Sequence, residues 1–189
     1  CTAPEEVSGI PAEALAAAEQ AARTAGKESG WLFTLHAPSY LAYLTYCDHR
    51  PGREHLWRAF GQRGYRGDAN DTRAVVAELV RLRSQRAQLL GYATHADFVL
   101  EERMAKSPEA VLEFLQDLAN KAKPVAKREA AELREFAAQQ LQVAELRRWD
   151  VAYASEKMKK MRFDVDDEDL KPYFPLHRVL DGAFAVATR

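Results

Sequence analysis

Residues 67–98 read GDANDTRAVVAELVRLRSQRAQLLGYATHADF. Asn70 or Asp71 offers a side-chain oxygen to cap a helix N-terminus, and Gly91 offers the left-handed position that ends one. At about 100° per residue, Val75, Val76, Leu79, Val80, Leu82, Ala87, Leu89 and Leu90 cover roughly half of the circumference. Glu78, Arg81, Ser84, Gln85 and Gln88 cover the other half, so the stretch reads as an amphipathic helix. Arg83 and Arg86 fall inside the apolar half. An unpaired guanidinium is costly to bury. Each arginine therefore needs a buried ion pair, a buried stem with its head in solvent, or a water-filled cleft beside this face.

The same punctuation recurs outward from this helix. Pro11 opens a helix that Gly26 closes, and Pro38 begins the next, PSYLAYLTYC. Asp48 is placed to cap PGREHLWRAFGQRG, with Pro51 in its first turns. Thr94 and Asp97 form a capping-box pattern for a short helix reaching about Glu102. Ser107-Pro108-Glu109 starts the longest pattern, in which Val111, Leu115, Leu118 and Ala122 step at the helical period. Pro124 falls inside it, where an interior proline costs about 3 kcal/mol unless the helix kinks. Val125, Leu133 and Phe136 keep the apolar stripe running, so a kink is expected there. Asp150 is expected to cap a helix running to about Met161. The acidic run DVDDED, residues 164–169, is expected to open a short helix ending near Tyr173-Phe174, and a last helix starts around Pro175-Leu176. Residues 31–35, WLFTL, are the one strand candidate, and a lone strand needs a partner. The class is all-α: a multi-helix lobe of about nine helices, one of them long and kinked, with at most one short strand.

The 189 residues carry a formal charge of -1, with 47% hydrophobic and 29% charged residues, a balance that fits a folded domain rather than a disordered chain. Near-neutrality gives no reason to expect nucleic acid or an anionic membrane as partner. No apolar run reaches the roughly 18 residues of a membrane span, and the N-terminus lacks a signal-peptide pattern. The chain begins without Met and stops within a helical pattern, so a fragment of a longer protein is expected. Two cysteines, Cys1 and Cys47, favour a reducing compartment, the cytoplasm, with the periplasm as the alternative. Cys47, among apolar and aromatic neighbours, reads as a buried structural thiol.

Generic motifs supply no chemistry. His36, His49, His55, His95 and His177 form no HExxH pair, and no GxGxxG, P-loop, GxSxG or CxxC pattern occurs. Asp48, His49, Glu54 and His55 cluster in sequence, but Pro51 and Gly52 separate the first two from the helix that carries the others. His95, beside the Thr94 cap, reads as a neutral packing residue, since the helix dipole opposes its protonation. DVDDED lacks the central glycine and final glutamate of a calcium loop and reads as solvated helix-N-terminal acids. Tyr40, Tyr43 and Tyr46, with Trp31 and Phe33, read as core with hydroxyls at its boundary, against a peptide- or base-stacking surface.

Longer ordered patterns are more specific. LR-x-x-x-A-x-LLGY (residues 82–92), H-A-D-F-V-L-E (95–101) and M-A-K-S-P-E-A-V (104–111) resemble a segment of the zinc oligopeptidases. That family includes dipeptidyl carboxypeptidase, oligopeptidase A and thimet oligopeptidase. W-D-x-x-Y (149–153), K-x-R-F-D-V-D-D-x-x-L-K-P-Y-F (160–174) and the following V-L-D-G look like the same family. GDANDTR and LKPYF lean towards the bacterial dipeptidyl carboxypeptidase branch. The resemblance covers most of the chain from about Trp31 onward. It implies a large, two-lobed, mostly helical peptidase with a deep channel for short peptides. Zinc would be held by HExxH and a later glutamate, the motif glutamate would activate water, and downstream tyrosine and histidine would stabilise the oxyanion. All those residues belong C-terminal to the matched segments, so no catalytic or metal position is assigned here.

The expectation is that residues 1–189 form a helical, non-catalytic N-terminal or middle portion of such an enzyme. It would wall the channel, with Arg83 and Arg86 as channel-facing candidates. Its partners would be short peptides and the remaining C-terminal catalytic part. The parent's zinc would lie outside this segment. A stand-alone helical interaction module is the rival reading, and RNA binding through arginines and tyrosines is a third, marked by steep salt dependence. The 189-residue chain alone is expected to take up no stoichiometric zinc and to cleave no peptide; chelator-sensitive cleavage by a pure sample would contradict this.

Overall fold

The punctuation read from the sequence appears as helix ends. The computed structural model describes residues 1–164 and 170–188. Among them are eight α-helices: α1 (Ala12–Thr24), α2 (Ala37–Tyr46), α3 (Arg50–Gly61), α4 (Arg73–Leu89), α5 (His95–Leu100), α6 (Pro108–Gln140), α7 (Val151–Phe163) and α8 (Leu176–Ala187). Short 3-10 turns occupy Pro4–Val7, Arg148–Asp150 and Lys171–Tyr173, and the described residues contain no strand. The class is all-α. The short helix expected from the acidic run falls largely on residues 165–169, outside the described residues. Asp164 itself does not open a helix; at φ 50° it caps the C-terminus of α7, its N–H donating to the Lys160 carbonyl at 2.9 Å.

The chain forms two units, Cys1–Trp57 with Leu133–Arg189, and Arg58–Glu132. In the first, Val7, Ile10, Tyr43, Cys47 and Leu56 make a buried cluster with Trp31, Phe33 and Leu35 against it. Tyr43 meets Phe33 edge-on at 4.7 Å, and its hydroxyl donates to the Glu6 carbonyl at 2.7 Å. Gly52 permits this, because a Cβ there would overlap the Tyr43 hydroxyl. The Cys47 thiol is fully buried and donates to the same carbonyl at 3.3 Å; burial pushes its pKa up, which leaves it an inert packing group. A second cluster joins Leu133 and Ala137 of α6 to Ala154 of α7.

The strand candidate 31–35 is irregular chain. Trp31 exchanges backbone hydrogen bonds with Cys1 (2.9 and 3.0 Å), Leu32 donates to the Ala18 carbonyl of α1, and Thr34 donates to Ser39 Oγ. Its amides are satisfied without a ladder, and its aromatics serve the core.

Two aspartates expected as caps do something else. Asp150 precedes α7 but makes no side-chain cap. It is 1% exposed, as is Arg53 of α3, and the two pair at 2.9 Å. Arg50 adds Nε and Nη2 bonds to the same carboxylate, and the Arg147 N–H donates to it at 3.1 Å. Arg53 spends its other donors on the carbonyls of Cys47, Asp48 and Trp149, and its guanidinium lies 4.1 Å over the Tyr153 ring. Trp57 and Trp149 pack beside this lock at 5.6 Å. Asp48 does not cap α3: Ser8 donates to one of its oxygens, and Tyr153 and Lys157 of α7 engage the other. Burial alone would raise both carboxyls. For Asp150 the Arg50 and Arg53 bonds and the Arg147 amide outweigh it; for Asp48 the Tyr153 and Ser8 hydroxyls and the Lys157 ammonium do. Burial and the bond to Asp48 push the Tyr153 phenol up to about 12.

In the second unit Ala87 is the one buried residue. The helix α6 runs unbroken through Pro124, whose ring removes one backbone donor. Its buried residues, Leu133, Phe136 and Ala137, all follow that proline, while Leu112, Phe114, Leu115 and Leu118 before it are exposed.

Asp150→Asn strands a buried guanidinium, so it is expected to cost the first unit about 3–5 kcal/mol. Urea unfolding followed by tryptophan fluorescence measures this, because Trp31, Trp57 and Trp149 all lie in that unit. Since both aspartates are depressed when folded, their stabilisation is full above about pH 4, the unfolded value, and drains away as pH falls through the folded values. The acid limb of the stability curve should flatten in Asp150→Asn.

Candidate functional site

The start of α4 is set by Asp71 one residue earlier than a conventional cap. Thr72 is the N-cap and makes no side-chain cap bond; Asp71 Oδ1 accepts from the Arg73 N–H at 3.0 Å and Oδ2 from the Gly67 N–H at 2.7 Å. The Arg73 side chain pairs with the same carboxylate, and these hydrogen bonds bring Asp71 down to about 2. The helix ends as expected at Gly91, at φ 86°, where the Tyr92 N–H returns to the Ala87 carbonyl.

The corner that follows accounts for two of the recognisable motifs. Thr94 and Asp97 form both arms of the capping box of α5. Phe98 receives Tyr92 edge-on at 5.4 Å, and the Arg86 guanidinium sits 4.8 Å over its ring. The Tyr92 hydroxyl donates to the Glu101 carboxylate. Ala87, fully buried, is the small residue at which α4 meets this corner. His95 packs near Phe98, and its Nδ1 is buried without a hydrogen-bond partner in the described residues.

The rest of the α4 face is open. Val75 is 64% exposed, Leu79 42% and Leu82 50%. With Ala74, Glu78, Arg83 and Arg86 they line a groove of about 660 Å³. Glu78 is the one carboxylate of that lining, and Arg81 holds both its oxygens at 2.7 and 2.6 Å. Neither Arg83 nor Arg86 forms an ion pair with a described residue, and Arg86 has only the Phe98 ring. A buried ion pair within this chain is therefore corrected: the face that periodicity marks as buried is solvated here, so its arginines have no desolvation to offset.

The remaining sequence candidates do not converge. Among the described residues no three His, Cys, Asp or Glu side chains are grouped to hold a metal ion. Asp48 is engaged by Ser8, Tyr153 and Lys157, His55 is exposed on α3, and the His49 Nδ1 is buried without a hydrogen-bond partner among the described residues. His36 precedes α2 on the rim of a second groove, between α1 and α2, and His177 is exposed on α8. Tyr43 belongs to the core rather than to a stacking surface. The residues that sequence reasoning missed are Arg50, Arg53 and their acceptor Asp150. The available signal was W-D-x-x-Y: Asp150 takes the arginines, and Tyr153 lies under Arg53 and bonds Asp48. No described helix is long and apolar enough to cross a membrane.

Known proteins match across this whole arrangement. Oligopeptidase A of Salmonella typhimurium is 43% identical over 188 residues, covering 97% of this chain and 28% of that protein. The dipeptidyl carboxypeptidase of Escherichia coli is 35% identical over 185 residues, again 97% of this chain and 27% of the relative. A probable thimet oligopeptidase of Arabidopsis thaliana is 31% identical over 182 residues, 96% of this chain and 24% of the relative. Identity thus runs higher to oligopeptidase A, although GDANDTR and LKPYF lean towards the carboxypeptidase. The chain spans about a quarter of the length of these relatives. The model of Peptidase family M3 matches residues 43–189, from Tyr43 in the first core onward, and the chain belongs to that family.

Proposed function

We propose that these 189 residues are a channel-wall portion of a zinc metallopeptidase that hydrolyses short peptides, by oligopeptidase or peptidyl-dipeptidase action. The observation that carries this is the family match across α2 to α8, together with relatives more than three times as long. By the family resemblance, zinc would be held by residues C-terminal to this segment. When bound, the metal would supply Lewis-acid activation of water and of the scissile carbonyl. This segment would contribute shape and charge: helices locked to one another by the Asp150 network, and the α4 face with Arg83 and Arg86 towards the rest of the enzyme. Its partners are the remaining catalytic part of the same polypeptide and short peptides, with neither nucleic acid nor membrane. The cytoplasm is the proposed compartment, supported by a relative named as a probable cytosolic oligopeptidase A.

The test is direct. The reading frame containing this chain should encode HExxH downstream of Arg189. The protein it specifies should bind zinc and cleave short peptides in a chelator-sensitive manner. A frame that closes at Arg189, or a full-length product with no peptidase activity at any zinc concentration, would favour the interaction-module reading instead.

A further inference from the structure

The α4 face is a feature that the helical lock and the family match leave unexplained. Five large apolar side chains, Val75, Val76, Leu79, Val80 and Leu82, are 42–64% exposed along it. Its unit has one buried residue. Isolated helices of this length are marginal in water, and most helical stability comes from packing an apolar face. Contiguous apolar patches of this kind mark interaction surfaces. The charges on the face narrow what covers it. Arg83 and Arg86, three residues apart, lie on the same side of the helix. Among the described residues that line the groove the one carboxylate, Glu78, is taken by Arg81, and Arg73 is taken by Asp71. Two guanidiniums without carboxylates, set in an apolar groove, call for an apolar surface carrying acids.

We propose that this face docks an amphipathic segment of the same polypeptide outside these 189 residues. That segment would be apolar towards Val75, Leu79 and Leu82, with Asp or Glu side chains about one helical turn apart that pair with Arg83 and Arg86. The proposal rests on the reading of the chain as part of a longer peptidase. It assigns the two arginines to an internal interface rather than to the substrate path.

The experiment uses the full-length protein with Arg83→Lys, Arg83→Gln and Arg83→Glu, and the same series at position 86. Thermal midpoints and KM are measured for one peptide with a free or an amidated C-terminus. The expected order of Tm is wild type, Lys, Gln, Glu, with Glu lower by roughly 5 °C, because removing one partner leaves a buried charge unpaired. KM for both peptides should stay within about twofold. If Arg83→Glu fails to fold, the Lys-against-Gln difference carries the same information. Unchanged Tm with KM raised only for the free-carboxylate peptide would overturn the proposal in favour of substrate binding. Unchanged Tm and KM would mean a face open to solvent, and a concentration-dependent wild-type Tm lost in the Glu variant would mean a second copy; either overturns it. A full-length protein that shows the Tm order but no chelator-sensitive cleavage would sink the peptidase reading and leave the interface standing.

Discussion

A carboxylate buried among guanidiniums organises the part of this chain that has a core of its own. Asp150 stands directly before α7, and Arg50 and Arg53 stand in the first turn of α3, about a hundred residues earlier. Burying Arg53 unpaired would be prohibitive, and burying Asp150 unpaired equally so, which makes the pairing all-or-none. Every donor that Arg53 directs inward finds an acceptor: the carboxylate and three carbonyls around the α2–α3 turn and the turn before α7. The lock therefore fixes where α3 begins and where α7 begins at once. The Tyr43, Cys47 and Leu56 cluster packs beside it, and the Trp57–Trp149 pair covers its flank.

Residues 58–132 obey different physics. They hold well-punctuated helices and local pairs: Arg73 with Asp71, Arg81 with Glu78, Lys121 with Asp117. Such exposed pairs are screened by solvent, contribute little to stability and cannot replace a core. Leu79, Leu82, Leu115 and Leu118 are placed at helical spacing for burial and yet remain exposed. The apolar stripes of α4 and of the first half of α6 are both solvated here, and the proposed docking of α4 would give its stripe the contacts this chain does not provide. The relatives, more than three times as long, supply a natural source for them.

Much of the fold was legible from local rules. Pro11, Gly26, Gly91, the Thr94–Asp97 box and Ser107 act within one turn of where they stand, so short-range chemistry announces them. What stayed hidden depends on distant partners. Asp48 and Asp150 resemble caps because each precedes a helix, but Tyr153, Arg50 and Arg53 outbid the local amides. The run 31–35 has strand composition, yet its amides are met by Cys1, Ala18 and Ser39, which no periodicity encodes. For Arg83 and Arg86 the sequence placed both on the apolar face of α4, and the structure leaves that face exposed. Periodicity could not go further, because an amphipathic pattern reports that a face is to be covered and not by what.

One unit is locked by a buried ion pair, and the other leaves its apolar helix faces exposed. Amide hydrogen exchange on the 189-residue chain at neutral pH measures both together. The account predicts slow exchange in α2, the first turns of α3 and α7, and exchange in α4 approaching that of a free helix. Protection of α4 equal to that of α2 would contradict it.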